Sequence, residues 1–389
     1  MRICLLSARF PPQRCGVGDY TYYLGCALAE RGHDVHALTS TGALDAIRYP
    51  LPRRFTAHRV IDAWDVRRVP SIMRHVIKLR PDVLLIEYTP HAFDRRGLTL
   101  AVNLVPLLTR FVPNTRVVTN FHELYMPLRG PVPHRVAAAW QRVAALGTAA
   151  TSQGVCVTAP LWKRLLRGLG VRKSIGVIPV GSNIPRVAMT AEERRDVRRE
   201  LLPDGDGMLI AGFGALHDRD LGLVAEALAY LKHERRARLI WIGGGDGGRQ
   251  SRDSVARQFR ERGLAEGALL WTGVIPHHEV SKLLAACDVM TLPFVDGLSS
   301  RRTSAISAMQ HSLPLLTTRG EDLEACFVHE TNVYLVPTGD RAGFCDGLRH
   351  LAGDASLRAR IARGGRALYE SAFSWKIIAQ KVLRLLEAA

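Results

Sequence analysis

Arg301 and Arg302 stand between Ser299-Ser300 and Thr303-Ser304, a few residues past the apolar run Val289-Met-Thr-Leu-Pro-Phe294. Ile306, Met309 and Leu313 then recur at helical spacing, and Pro314-Leu-Leu-Thr-Thr318 is apolar again. This pattern predicts a strand, a turn, a helix and a second strand. Free backbone N–H groups and the helix dipole at such a turn favour an anion, and two guanidiniums add fixed charge and forked donors. A phosphate fits this chemistry. A solvated arginine pair beside an N-cap serine fits the local pattern equally well.

Two further stretches carry titratable groups where strands are expected to end: Glu87-Tyr-Thr-Pro-His91 and Asn120-Phe-His-Glu123. In a parallel sheet, ligands bind beyond the carboxyl ends of the strands. Two histidines with carboxylates nearby assign His122 a role in a cleft. Near the start, the loop Phe10-Pro-Pro-Gln-Arg-Cys-Gly-Val-Gly-Asp19 leads into a helix, and Gly16 and Gly18 would let a ligand approach the backbone. A plain tight turn is the alternative there. Asp204-Gly-Asp206 mimics a D-x-D metal motif but lies between Pro203 and Gly207, which reads as a solvated turn. Gly243, Gly245 and Gly248 formally satisfy G-x-G-x-x-G; their place at a domain's second strand argues for a flexible loop and against a nicotinamide site.

The elements that would hold these residues alternate. Apolar runs at Arg2–Ser7, Val35–Leu38, Asp82–Ile86, Arg116–Thr119, Gly154–Thr158 and Ser174–Ile178 are separated by helical segments. The pattern recurs at 208–213, 238–242, 268–271, 288–293 and 314–317. This predicts an α/β protein with two parallel sheets, each covered on both faces. A length of 389 residues suits two domains. We place them at 1–185 and 186–372, followed by a terminal helical segment, 373–389.

The net charge of +17 is uneven: residues 1–185 hold 25 Lys and Arg against 10 Asp and Glu, and residues 186–389 hold 28 against 26. A basic first domain suits a phosphorylated substrate or an acidic membrane surface. Arg135–Leu146 and Leu161–Lys173 are basic amphipathic stretches with tryptophan, suited to an interface; packing on the sheet is the alternative, favoured for the second. No basic–aromatic interleaving points to nucleic acid. The opening apolar run is too short for a signal segment and no stretch reaches membrane-spanning length, so a cytoplasmic protein, in peripheral contact with the inner membrane face, is expected. Seven scattered cysteines without a C-x-x-C pair speak against structural zinc and a disulfide framework.

Taken together, Phe10-Pro-Pro…Gly16-Val-Gly18, Arg31-Gly-His33, Asn120-Phe-His122, Ile178-Pro-Val-Gly181, Ile242-Gly-Gly-Gly-Asp246, Trp271-Thr-Gly-Val274, Ala286-Cys-Asp288 and Asn332–Asp340 resemble the retaining glycosyltransferases of family 4. The resemblance spans nearly the whole chain. It implies the GT-B architecture, two facing Rossmann-like domains with the terminal helix crossing back to the first. It also implies transfer of a sugar from a nucleotide-diphosphate sugar to an acceptor hydroxyl with retention. Gly16 matches the glycine facing the donor diphosphate, His122 the histidine contacting the donor sugar, and Val274 and Ile275 the segment bordering the base. Gly18 and Gly214 are counted with the donor-binding candidates. The family's two glutamates fall on Ser299 and Ser307, and its phosphate-binding Arg and Lys on Ala215 and Leu221. Asp296 lies three residues early to replace the first glutamate. In this variant, Arg301 and Arg302 take the catalytic charge role, Arg219 is a weaker candidate, and Ser299, Ser300, Thr303 and Ser307 supply donor contacts. No metal and no cofactor are expected beyond the donor. The acceptor is expected to be anionic or lipid-linked. A non-catalytic partner subunit on the same fold is the alternative.

Overall fold

The computed structural model of the protein describes residues 1–42, 49–203, 205, 207–216, 218–232, 234–244 and 252–388. Asp204, Asp206, Gly245 and Gly248 lie outside the described residues. The chain divides into two compact units, Met1–Asn183 with Trp375–Ala389, and Ile184–Ser374.

The first unit is built on a seven-stranded sheet. Its strands are β1 (Arg2–Leu6), β2 (Asp34–Ser40), β3 (Phe55–Ile61), β4 (Val83–Tyr88), β5 (Arg116–Phe121), β6 (Gly154–Val157) and β7 (Ile175–Val177). All neighbours are parallel, in the order β3-β2-β1-β4-β5-β6-β7. Alternate residues of each strand enter different cores. Cys4 and Leu6 pack with Leu84 and Ile86 on one face, Ile3 and Leu5 with Val83 and Leu85 on the other. The helix Trp375–Ala388 completes the second of these faces with Ile378, Ala379, Val382 and Leu386. Trp375 stacks on Tyr23 at 5.6 Å between ring centroids and donates its Nε1 hydrogen to the Ser182 carbonyl at 2.7 Å.

The second unit holds β8 (Met208–Phe213), β9 (Ala237–Ile242), β10 (Leu269–Gly273), β11 (Val289–Leu292), β12 (Leu315–Arg319) and β13 (Tyr334–Pro337). They too are parallel, in the order β10-β9-β8-β11-β12-β13. Both domains are thus Rossmann-like α/β units. The strand order reverses between β1 and β4 in the first and between β8 and β11 in the second. A doubly wound sheet opens a ligand crevice at such switch points.

Two strands go beyond the sequence expectation. β3 carries His58 and Arg59 in the middle of an edge strand and so does not read as a buried run; β13 is a short edge strand ending at Pro337.

Candidate functional site

In the second unit, the loops leaving β8 and β11 meet at the switch point. The Asp220 N–H donates to the Pro293 carbonyl at 3.0 Å and the Val295 N–H to the Asp218 carbonyl at 3.1 Å. Joined in this way, the loops bring together side chains far apart in sequence. Arg301 donates to Asp296 at 2.5 Å; Arg302 pairs with both Asp296 and Asp218; Arg219 donates to the other Asp218 oxygen at 2.6 Å and to Ser304 Oγ at 2.9 Å. The result is a chain of alternating charge, Arg301–Asp296–Arg302–Asp218–Arg219, in which three cations face two carboxylates. Arg302 lies over the Phe294 ring at 4.4 Å and Arg219 over the same ring at 4.9 Å. Burial, then the nearby Arg301, lowers the Arg302 pKa. Burial also brings the Arg219 guanidinium down to about 10, with Asp218 opposing that shift and Arg302 adding to it. Both remain charged at neutral pH.

This differs from the sequence expectation in an informative way. Arg301 and Arg302 are ion-paired, so an incoming anion would share them with Asp296 and Asp218. Asp296 is taken up by two guanidiniums, which leaves it unsuited to stand in for a glutamate. Arg219, the weaker candidate, proves the most enclosed of the three, with its Nε buried and unpartnered, like the Nε of Arg302. The carboxylates hold the forks in place, and fixed, partly desolvated donors of this kind act strongly on charge that develops in a reaction.

Ser300 and Ser299 belong to this turn. The Ser300 N–H and hydroxyl both donate to Glu324 Oε1, at 3.0 and 2.7 Å. Glu324 comes from the loop after β12, and its second oxygen is buried without a hydrogen-bond partner, as is Ser299 Oγ. A carboxylate therefore stands at the turn although the turn's own sequence has none after Asp296. Sequence spacing gave no signal for it, because it arrives 24 residues downstream of Ser300. Gly297 and Gly320 allow the two loops to touch: a Cβ on Gly320 would lie 2.1 Å from the Asp296 carbonyl oxygen. Thr303 opens the helix Thr303–Gln310, which has no side-chain N-cap. Ser307 is fully buried, and its hydroxyl donates back to the Thr303 carbonyl at 2.9 Å. Gly214 follows β8 at φ +98°, its carbonyl held by Trp241 Nε1 at 3.0 Å. Val274 and Ile275 follow β10, the edge strand, two strands from β8; Val274 is exposed and Ile275 partly buried.

In the first unit, His122 follows β5 and is buried. Its Nε2 lies 2.7 Å from Glu87 Oε2, and Asn120 Nδ2 donates to the same oxygen at 2.8 Å. The Tyr20 ring meets the imidazole edge-on at 4.6 Å and meets Trp375 in the same manner at 5.2 Å. His91 is not part of this group and is exposed. The two glycines of the opening loop differ. A Cβ on Gly18 would lie 3.0 Å from the Arg9 carbonyl oxygen, a tight approach to main chain that favours glycine here. At Gly16 a Cβ would meet nothing within 4 Å, and the start of the helix Gly16–Glu30 lies open there. Asp19, in the first turn of that helix, accepts from Asn183 Nδ2 at 3.0 Å, while burial pushes its carboxyl up to about 6.

The fold has well-defined counterparts. Sucrose-phosphate synthase from Thermosynechococcus elongatus superposes with a TM-score of 0.77 at 18% identity, covering 100% of this chain and 98% of that one. HepE of Anabaena, solved in complex with UDP-glucose, gives 0.72 at 14% identity with complete coverage of both. In sequence, a glycogen synthase of Mycobacterium tuberculosis (strain ATCC 25618 / H37Rv) is 25% identical over 421 aligned positions, covering 100% of this chain and 95% of the relative. Residues 15–185 match the model of Glycosyltransferase Family 4, and residues 208–354 match that of Glycosyl transferases group 1. The chain is a glycosyltransferase of the GT-B type. The family matches of this GT-B glycosyltransferase place the His122 group in the first matched region, and Arg219, Arg302 and Glu324 in the second.

Proposed function

We propose that this glycosyltransferase moves a hexose from a nucleotide-diphosphate sugar to an acceptor hydroxyl with retention of configuration. The observation that carries the reading is the Arg219–Asp218–Arg302–Asp296–Arg301 cluster at the β8/β11 switch point. Breaking a glycosidic bond to a diphosphate builds negative charge on the leaving oxygens, and pre-set guanidiniums stabilise that charge more than they stabilise the bound donor. The departing phosphate oxygen then takes the acceptor proton, so no strong protein base is required. Gly16 leaves backbone open to the diphosphate and His122 contacts the donor sugar. HepE, solved with UDP-glucose, makes UDP a natural first probe. Since the guanidiniums supply the charge, the reading assigns no role to a metal, and turnover should persist in chelator.

A thermal-shift series with UDP, GDP, ADP and dTDP tests the donor site without knowledge of the acceptor. A ligand that binds only the folded state raises Tm as its concentration passes Kd, by about 2.7 kcal/mol of stabilisation at a hundredfold excess over Kd. One of the four is expected to shift Tm. Silence from all four at millimolar concentration would favour a second reading, a non-catalytic GT-B partner subunit. What favours that reading is serine at both glutamate positions, together with Ala215 and Leu221 at the cationic ones.

The acceptor, on our reading, is anionic or held at an acidic membrane surface. The helix Val132–Thr151 supports this: it packs inward through Ala137, Ala138, Ala144, Ala145 and Ala149, and turns Val132, Val136, Val143 and Leu146 outward on one stripe. Phe111, 80% exposed, and Leu128 add apolar surface, with Arg129 and Arg135 also exposed. In the Leu161–Lys173 stretch, by contrast, Trp162 and Leu166 are buried. Among the described residues no helix is long and apolar enough to cross a membrane. Co-sedimentation with vesicles containing anionic lipid should exceed that with neutral vesicles and fall in Val136→Asp/Val143→Asp; equal sedimentation with both lipids would count against the membrane reading.

A further inference from the structure

Glu87 is fully buried, and the strand register explains why it is there. β4 and β5 pair Glu87 with Asn120, and pleating sends Asn120 and His122, two residues apart, to the same side of the sheet. Glu87 Oε2 receives Asn120 Nδ2 at 2.8 Å and lies 2.7 Å from His122 Nε2. Its influence reaches further: after burial, the Glu87 charge is the next cause that pushes the Tyr20 phenol and the Cys156 thiol up. A carboxylate only accepts hydrogen bonds, so the hydrogen in the Glu87–His122 contact sits on Nε2. Among the described residues, Nδ1 of His122 makes no hydrogen bond, and the Tyr20 ring against the imidazole edge opposes reorientation.

We propose that Glu87 is the positioning residue for His122: it fixes the neutral Nε2–H tautomer and leaves the Nδ1 lone pair to accept a hydrogen bond from a hydroxyl of the bound sugar. The inference rests on the reading of His122 as the sugar-contacting residue and gives that contact a direction. The imidazole accepts from a neutral hydroxyl; it does not donate to a phosphate oxygen. Carboxylates that orient metal-bound histidines matter by about 10–100-fold, and an effect of that order is expected for an imidazole held in the same way.

The test uses the full chain labelled with 15N-histidine. Long-range 1H–15N spectra at pH 8, with His122→Gln to assign the signal, are expected to show a protonated Nε2 and a bare Nδ1. A protonated Nδ1, in either the other tautomer or the imidazolium, would overturn the proposal whether or not turnover is detected. Glu87→Gln should populate the Nδ1–H tautomer and lower kcat about 10–100-fold, while the Tm shift produced by the nucleotide stays that of wild type. If kcat and tautomer are both unchanged in Glu87→Gln, Glu87 does not position the ring. Failure of the wild type to bind any nucleotide or turn over is a separate outcome. It would count against the proposed function and leave the spectrum to decide on Glu87.

Discussion

Arg302→Ala is expected to abolish the Tm shift given by the matching nucleoside diphosphate and to lower kcat/KM by about 100- to 1000-fold, the usual cost of one oxyanion-stabilising donor. The guanidinium sits at the centre of the charge chain, bound to Asp218 on one side and Asp296 on the other, with its plane over Phe294. Removing it does two things. The donor loses a forked contact, and the cluster goes from three cations against two carboxylates to two against two, so a diphosphate would meet no net positive charge. Removing one member of a largely buried ion pair also destabilises a protein, by about 3–5 kcal/mol where burial is complete. Binding and stability are therefore measured separately, as the Tm without ligand and the further shift with it. Arg302→Lys supplies the control, because it keeps the charge, gives up the fork and should retain part of the shift. Arg301, whose side chain is more exposed than that of Arg302, should cost less when replaced. A folded Arg302→Ala that still responds fully to the nucleotide would remove the arginine cluster from the donor site.

Gly320→Ala is expected to be a strongly damaging single-methyl change near the site. The new Cβ would lie 2.1 Å from the Asp296 carbonyl oxygen and 2.9 Å from its carbon, and main chain cannot retreat as a flexible side chain does. Gly297 faces the same contact from the other side, at φ +87°, with its Cβ 2.2 Å from the Gly320 nitrogen. Overpacking and forced backbone conformations each cost about 1–3 kcal/mol, and Gly297→Ala incurs both. The Leu298 N–H to Thr318 carbonyl bond at 2.8 Å and the Ser300–Glu324 pair depend on the same apposition, so the turn should shift and the nucleotide response weaken. Gly147→Ala provides the contrast: nothing lies within 4 Å of its Cβ, and it sits inside the helix Val132–Thr151. That change should stabilise by about 0.5–1 kcal/mol. Equal Tm values for wild type and Gly320→Ala would show that the loops do not meet as described.

The fold was legible in the sequence wherever it rests on local pattern. Buried parallel strands such as Leu84–Ile86 and Leu209–Ala211 are continuous apolar runs. The edge strand Phe55–Ile61 was not legible, because its exposed side accepts polar residues. The candidate site divides in the same way. Arg301 and Arg302 drew attention because they are adjacent and follow a strand. Asp218 and Arg219, 84 and 83 residues before Arg302, join it only because sheet order puts β8 beside β11. Glu87 and His122, 35 residues apart, meet through a register that no local window contains. Ser307 shows the converse: its place in the family pattern is read directly from the sequence, while the bond from its hydroxyl to the Thr303 carbonyl appears only in the helix.

The discontinuity of the first unit bears on how the protein is made. Residues 184–374 are contiguous and can fold as soon as they leave the ribosome, since domains generally fold as units during synthesis. The unit begun first must wait. Ile3, Leu5, Leu24 and Leu28 have one wall of their core missing until Ile378, Val382 and Leu386 have been translated. Trp375, which backs the Tyr20 ring against His122, arrives with that same helix. During translation the unit started first is therefore the last to close, and its exposed apolar face is the one a chaperone would have to shield.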